Sequence, residues 1–316
     1  MELKLWDHMV SGAKVKFSVI IPTYNREDLL AGALQSAYRA LPPDSEMIVV
    51  NDGAAFSEHM QSVLVDLRAT VTATSGSLGA GAARNLGAKL ARGRWLLFLD
   101  DDDLISKDFW RAVESYIDHK LVGEANAYGF CKTTSHSDRT QMKTLAAQTG
   151  VFHFNTQEGQ SIKSKLAGLG QGFWVSKSLF EEIGGIDPNL KTNEDTDLCL
   201  RLLTAGGQCH KTIGVGAFIF TGNRGIAAAH STTKRHGPKQ RASYFKHIIN
   251  TNSEILAKDP KAMHWLWKRY LKMAIRSREI TSLNDLWAFP ELTKTGKLSL
   301  ALYWILWAFI SIFYRP

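Results

Sequence analysis

The sequence predicts an α/β fold: a doubly wound, mostly parallel sheet flanked by helices, with a helical C-terminal extension. Three observations carry this. Short apolar runs alternate with helical stretches over the first hundred positions, which is the βαβ pattern. Each run ends in a polar turn at its carboxyl side, where open α/β sheets hold their ligands. Beyond residue 240 the strand signal stops, and basic, aromatic-rich helical stretches follow.

The elements follow in order. Residues 16–21, KFSVII, form a β-branched apolar run and a first strand, stopped by Pro22. After a polar loop, Glu27 and Asp28 open a helix to residue 41 with Leu29, Leu30 and Leu34 on one face; Pro42 and Pro43 end it. Residues 46–50, EMIVV, are a second strand ending in Asn51-Asp52-Gly53. A helix over 57–67 and a third strand over 69–73 come next. Residues 75–81, SGSLGAG, lack both the GxGxxG spacing and a GK[ST] ending, so they read as a structural loop. A small-residue helix over 82–91 carries Arg84 and Asn85.

The central strand is 94–103, RWLLFLDDDD. Its apolar run suits a strand buried on both faces. Four adjacent carboxylates repel unless a cation or solvent screens them. Two readings stand: a metal–diphosphate site, since Mg2+ and Mn2+ take hard oxygen ligands, or an acidic helix start.

An amphipathic helix is expected over 106–120, a strand over 125–133 and a polar irregular loop over 135–149. Residues 193–203, NEDTDLCLRLL, form a helix with Glu194, Asp195 and Asp197 in its first turn, closed by Gly206-Gly207. Acidic residues there match the helix dipole; one of them can also serve as a general base. A closing strand is expected over 211–221 and a basic amphipathic helix with Trp265, Trp267 and Tyr270 over 258–279. That helix either lies on an anionic membrane or packs its aromatics inward. Residues 298–314, LSLALYWILWAFISIFY, carry no charge and sit at the lower length limit for a bilayer span.

Composition narrows the function. The chain has 316 residues, 45% hydrophobic and 22% charged, as in globular proteins. Net charge is +8, which favours anionic partners. The three cysteines, Cys131, Cys199 and Cys209, form no CxxC pair, which argues against a disulfide framework or zinc site and suits a reducing cytosolic setting. The N-terminus lacks the apolar core of a signal peptide. No nucleic-acid motif is present, so no nucleic-acid partner is expected.

Four motifs in order, SVIIPTYNR (18–26), VVNDG (49–53), GAARNLGAKLARG (81–93) and FLDDDD (98–103), resemble the family 2 glycosyltransferases of the GT-A fold. The resemblance covers about residues 16–220. It implies an inverting transfer of a sugar from a nucleoside-diphosphate donor, assisted by Mn2+ or Mg2+. It assigns Pro22, Thr23 and Tyr24, with Arg26 nearby, to the nucleotide, Asp52 to the base, and Arg84 to a basic position beside it. Asn51 departs from the family's usual Asp. The Asp-x-Asp motif falls on Asp100 and Asp102, with Asp102 the direct metal ligand; Asp101 sits between them in the donor site, and Asp103 is left as an outer or capping carboxylate. Asp195 aligns with the catalytic base and Glu194 is the runner-up. The glycines of 168–177 belong to the acceptor side. His230 could complete the metal shell, or face water as loop histidines do.

The expected organisation is an N-terminal extension (1–15), a GT-A catalytic domain (16–240, with a nucleotide half 16–103 and an acceptor half 104–240) and a helical region (241–316) whose segment 298–314 contacts the membrane. The expected partners are a nucleoside-diphosphate sugar, a saccharide or lipid-linked acceptor, and the inner face of the cell membrane, in surface polysaccharide or lipopolysaccharide assembly. A sugar nucleotidyltransferase is the other enzyme class with a similar sheet, but PTYNR lacks its glycine-rich basic loop. An inactive sugar-nucleotide-binding relative would have lost the Asp-x-Asp or Glu-Asp motif, and both are intact.

Overall fold

Four of the apolar runs become the parallel heart of a sheet in the computed structural model, which describes residues 15–124, 126–222, 236–279 and 282–313. They are β1 (Phe17–Thr23), β2 (Ser45–Asn51), β3 (Ala69–Ala73) and β4 (Trp95–Phe98), in the spatial order β3-β2-β1-β4. Every residue of β1 is buried, so both of its faces are covered. The period of two decides which helix covers which face. Phe17, Val19 and Ile21 meet Leu30, Ala33 and Leu34 of α1 (Glu27–Ala40). Ile20 meets Ala83 and Ala88 of α3 (Ala80–Leu90) on the other face. The helix between, α2 (Glu58–Asp66), is capped by Ser57, whose hydroxyl accepts from Met60 N. This is the doubly wound half that the sequence predicts.

The second half changes the sheet's character. It adds β5 (Leu104–Ile105), β6 (Ala127–His136), β7 (His153–Thr156), β8 (Trp174–Ser176) and β9 (Gln208–Phe220), extending the order to β4-β8-β6-β9-β5, with β7 also on β9. β8 runs antiparallel to both β4 and β6, and β5 and β7 run antiparallel to β9, while β6 and β9 are parallel. Half of the described strand pairings are therefore antiparallel, and the sheet as a whole is mixed. Three helices flank it: α4 (Phe109–Lys120), α6 (Lys177–Glu182) and α7 (Glu194–Thr204).

One expectation is corrected. The polar stretch 135–149 is not an irregular loop: it contains helix α5 (Arg139–Ala146). Asp138 caps it, accepting from Thr140 N and Gln141 N, and its one apolar face buries Met142 and Ala146 against Leu104 and Phe218.

Among the described residues five further helices follow: α8 (Pro238–Thr251), α9 (Ser253–Ala257), α10 (Pro260–Arg276), α11 (Ser282–Ala288) and α12 (Lys294–Phe313). The basic helix α10 packs its aromatics inward, with Trp267, Tyr270 and Met273 buried. These helices share one apolar cluster with Ile162, Leu190 and Leu200 of the preceding region. Among the described residues no helix is long and apolar enough to cross a membrane.

Candidate active site

The carboxyl ends of β1, β2 and β4 open into one crevice of about 540 Å³. It is lined by Pro22, Thr23, Tyr24, Arg26, Asp52, Arg84, Asp100, Asp101, Asp102, Glu194 and Asp195. Residues taken from five separate stretches of the sequence thus face one space. His230, the remaining expected ligand, lies outside the described residues.

On the β2 side, Asp52 organises a loop. Its carboxylate accepts from Leu78 N (2.9 Å), Gly79 N (2.7 Å) and the Thr74 hydroxyl. A carboxylate offers about four acceptor positions, so at most one remains for a ligand. Ser77 of the same loop donates to the Tyr24 hydroxyl at 3.3 Å. The glycine-bearing loop is therefore a wall of the crevice, fixed by a buried charge.

At the end of β4 the four aspartates part company. Asp101 is fully buried and paired with Arg26, whose Nε donates to Asp101 Oδ2 at 3.0 Å. Burial pushes its carboxyl up to about 7, with Arg26 pulling it down and Asp102 pushing it up. Arg26 Nη1 also reaches Asp102 Oδ2 at 3.1 Å. Asp103 Oδ1 accepts from Phe220 N at 2.9 Å. Asp100 receives Nη2 of the buried Arg84.

Asp100, Asp102 and Asp103 each bring one oxygen into a set that lies within 4.8 Å of one another. Two ligands of one Mg2+, each at about 2.1 Å, stand at most about 4.2 Å apart, so little closure is needed for chelation. All three donors are hard oxygens, the chemistry that Mg2+ and Mn2+ select. Gly170 closes the cradle: a Cβ there would sit 3.0 Å from both Asp100 Oδ2 and Asp103 Oδ2. The residues present fit a divalent cation, and Asp103 belongs with the two aspartates of the motif.

Across the crevice, α7 opens at Asn193, which adopts a left-handed φ of 61°. Glu194 and Asp195 occupy the first turn. Asp195 Oδ1 accepts from Thr196 N at 2.7 Å. Its Oδ2 faces Gly168, whose Cβ would lie 3.5 Å away. Glu194 Oε1 lies 3.4 Å from Arg84 Nη1, so Arg84 bridges the metal-type cluster and the base-type pair. Burial raises both carboxyls; Glu194 is pushed up to about 7 against the pull of Arg84, and Asp195 rises against its bond to Thr196 N.

Two clusters of carboxylates bridged by one arginine thus meet at the strand ends of an α/β sheet. The model of the glycosyl transferase family 2 matches residues 18–184, just over half of the sequence. The chain belongs to glycosyl transferase family 2. An uncharacterized glycosyltransferase of Haemophilus influenzae is 28% identical over 199 residues, covering 59% of this chain and 61% of that one. Poly(ribitol-phosphate) beta-N-acetylglucosaminyltransferase TarS of Staphylococcus aureus is 34% identical over 110 residues, 33% of this chain and 19% of that one. The chain thus spans less than two thirds of the length of these curated relatives. In three dimensions, S. aureus TarS 1-349 in complex with UDP superposes with a TM-score of 0.64 at 17% identity, over 93% of this chain and 88% of that chain. A mannosyltransferase from Pyrobaculum calidifontis in complex with GDP-Man and Mn2+ gives 0.52 at 15% identity, over 99% and 91%. At such identities the likeness is one of fold.

The structure also brings to or near the crevice residues outside the four motifs. Gly168 and Gly170 come from the loop before β8. Arg241 of α8 lines the crevice, and its Nε is buried without a hydrogen-bond partner among the described residues. Arg269 of α10 lies over the Phe245 and Trp265 rings at 5.0 Å, and its charge favours the ionised form of Asp195. In the sequence Arg241 belongs to a group of cations, with Lys234, Arg235 and Lys239, that can pair with a diphosphate or face water, the second being the simpler expectation. The available signal was the basic, aromatic-rich composition of 258–279, which pointed to a membrane or to core packing and not to the crevice.

Proposed function

We propose that this protein is an inverting, divalent-metal-dependent glycosyltransferase. It moves a sugar from a nucleoside-diphosphate donor, a UDP-sugar first, to a saccharide or lipid-linked acceptor. The setting is surface polysaccharide or lipopolysaccharide assembly at the inner face of the cell membrane. The observation that carries this is the single crevice in which Asp100, Asp102 and Asp103 face Glu194 and Asp195. TarS, named for transfer to poly(ribitol-phosphate) and solved with UDP and with UDP-GlcNAc, supports the choice of UDP and of a polymeric acceptor.

In this reading Asp100, Asp102 and Asp103 would hold Mn2+ or Mg2+. When bound, the cation neutralises the charge that develops on the departing nucleoside diphosphate. Pro22, Thr23 and Tyr24 bound the nucleotide, with the Asp52-fixed loop as its wall. Arg26 and Arg84 orient the neighbouring carboxylates and, at Asp101 and Glu194, oppose the rise that burial causes. Asp195 takes the proton of the acceptor hydroxyl as the new bond forms on the opposite face of the sugar. Its Oδ1 is held by Thr196 N, so Oδ2 is the oxygen that accepts. Burial makes it a stronger base than an ordinary aspartate. One displacement inverts the anomeric centre without a covalent sugar–enzyme intermediate, and no cysteine nucleophile is needed.

The test is a thermal-shift panel of UDP, GDP, dTDP and CDP, each with and without Mn2+. A ligand that binds only the folded state stabilises it by about 2.7 kcal/mol at a hundredfold excess over its dissociation constant. The expected result is a shift with UDP that requires the metal, lost in Asp102→Ala and kept in Asp195→Asn. Loss of transfer in Asp195→Asn by about 10²–10⁴-fold completes the case. Flat curves for all four nucleotides in folded protein would overturn the donor assignment.

A further inference from the structure

Helix α12 has two unlike faces. Leu300 is fully buried, and Trp304 Nε1 donates to Ser282 Oγ at 2.9 Å, so one side is fastened to α10 and α11. On the other side Leu298, Leu302, Ile305 and Leu306 are 56%, 67%, 57% and 58% exposed. At about 100° per residue these four fall within an arc of about 100°, one continuous stripe. A stripe of exposed large aliphatic side chains marks an interaction surface rather than ordinary solvent-facing helix.

The flanks of the stripe are cationic. Lys268 Nζ lies 5.3 Å from the centre of the Tyr303 ring, about 60° beyond one edge of the stripe, while Lys272 Nζ, 4.8 Å from that of Trp307, sits on the fastened side. Lys294 and Lys297 lie towards the other edge at the helix start. Residues 241–316 hold twelve Lys and Arg against five Asp and Glu, a net +7 of the chain's +8. The charge excess of the whole protein is thus concentrated in the region that carries the stripe.

We propose that the outer face of α12 docks on an anionic lipid bilayer, the helix lying on its side with the stripe among the acyl chains and the lysines at the headgroups. An apolar strip bordered by lysines is the pattern of an interfacial helix, and each basic residue near an anionic surface adds to the attraction. A second copy of this chain fits less well, because a two-fold contact through this face would set cation-flanked stripes against each other. The docking deepens the proposed reading, since it brings the crevice to where a lipid-linked acceptor would be. It does not depend on turnover.

The experiment is vesicle flotation of the full chain without donor, using neutral phosphatidylcholine vesicles and vesicles with about one third phosphatidylglycerol. The expected result is flotation with the anionic vesicles that weakens as salt is raised. The double variant Leu302→Asp/Ile305→Asp should partition at least about tenfold less. Lys268→Glu/Lys294→Glu should also lose partition while leaving the stripe intact. Both variants should keep the wild-type thermal shift with UDP and Mn2+, which separates a failure of docking from a failure of the donor site. Wild-type protein that stays in the dense fraction, or variants that float as the wild type does, would overturn the proposal. So would a concentration-dependent dimer in light scattering that Leu302→Asp/Ile305→Asp abolishes, which would assign the face to a second copy.

Discussion

Glu194 and Asp195 lie side by side at the start of α7, and burial raises both carboxyls. The consequences for stability and for activity have opposite signs. A carboxyl whose value is raised on folding binds its proton more tightly in the native state. Its contribution to stability is fully present below the ordinary glutamate value of about 4.5 and is lost as pH rises through about 7. Transfer, by contrast, needs the pair ionised and falls as pH drops through the same range. Glu194→Gln should therefore flatten the decline of melting temperature between about pH 5 and 8, leaving the part due to Asp101, which is also held near 7. Equal slopes for wild type and variant would refute the assignment. At this scale the sequence showed what lies within a motif. That Asp102 and Asp195 would face the crevice was legible because strand end and helix start announce them locally. The Arg84 bridge from Asp100 to Glu194 was not, because its partners lie 16 and 110 positions from it. Nor was the role of Gly170, whose only signal is the absence of a side chain beside two distant carboxylates. Asp52 was readable as a strand-end carboxylate, but its bonds to residues 74–79 depend on how that loop folds back.

Helix α7 is held by more than its apolar face, and this decides where Asp195 points. Asp197, almost fully buried, accepts from Arg201 Nε (2.6 Å) and from Asn252 Nδ2 (2.9 Å). Arg201 Nη1 in turn donates to Ile183 O and Gly185 O. The carboxylate ties its own helix to α8 and, through Arg201, to the turn before it. Removing one partner of a buried ion pair costs more than the pair is worth, because the other charge is left uncompensated. Arg201 keeps some contact with solvent, so the cost is set at the low end, about 3 kcal/mol. Asp197→Ala should lower stability by that amount in urea denaturation and reduce transfer, although Asp197 does not line the crevice. A variant with wild-type stability would show the network to be redundant. Among the elements, β1 to β4 were legible because each is a short apolar run between turn residues. β5 has two residues and β8 three, too few for any period to show. The antiparallel pairing of β8 between β4 and β6 is a long-range choice that leaves no local mark. Helix α5 was missed because its sequence is polar and only Met142 and Ala146 are buried on it.

For the whole molecule, the question is whether the catalytic region can stand without the C-terminal helices. Sequence composition divides the chain at residue 240, and the apolar packing does not. Ile162, Leu190 and Leu200 are buried against Phe245, Ile248, Leu266 and Trp267 in a single cluster. Polar ties run the same way: Asn252 to Asp197, and His247 Nε2 to Asp187 Oδ2 at 2.8 Å. Leu200 belongs to the helix that carries Asp195, so α7 has the sheet on one side and the C-terminal helices on the other. Fully burying one large aliphatic side chain contributes about 1.5–3 kcal/mol. Exposing three of them removes about 5 kcal/mol or more, which rivals the entire stability of an ordinary domain, about 5–15 kcal/mol. Deletion of residues 241–316 should therefore yield protein that aggregates or melts far below the full chain, and that has lost metal-dependent UDP binding along with Arg241 and Arg269. The full chain should unfold in one calorimetric transition with equal van't Hoff and calorimetric enthalpies. A truncated protein that melts as the full chain does, and still binds UDP with Mn2+, would show that the helices are an appendage. The shared cluster argues that they are the outer layer of the active-site scaffold. The same layer carries the lysine-flanked stripe of α12, so contact with a bilayer would act on the helices against which α7 is packed.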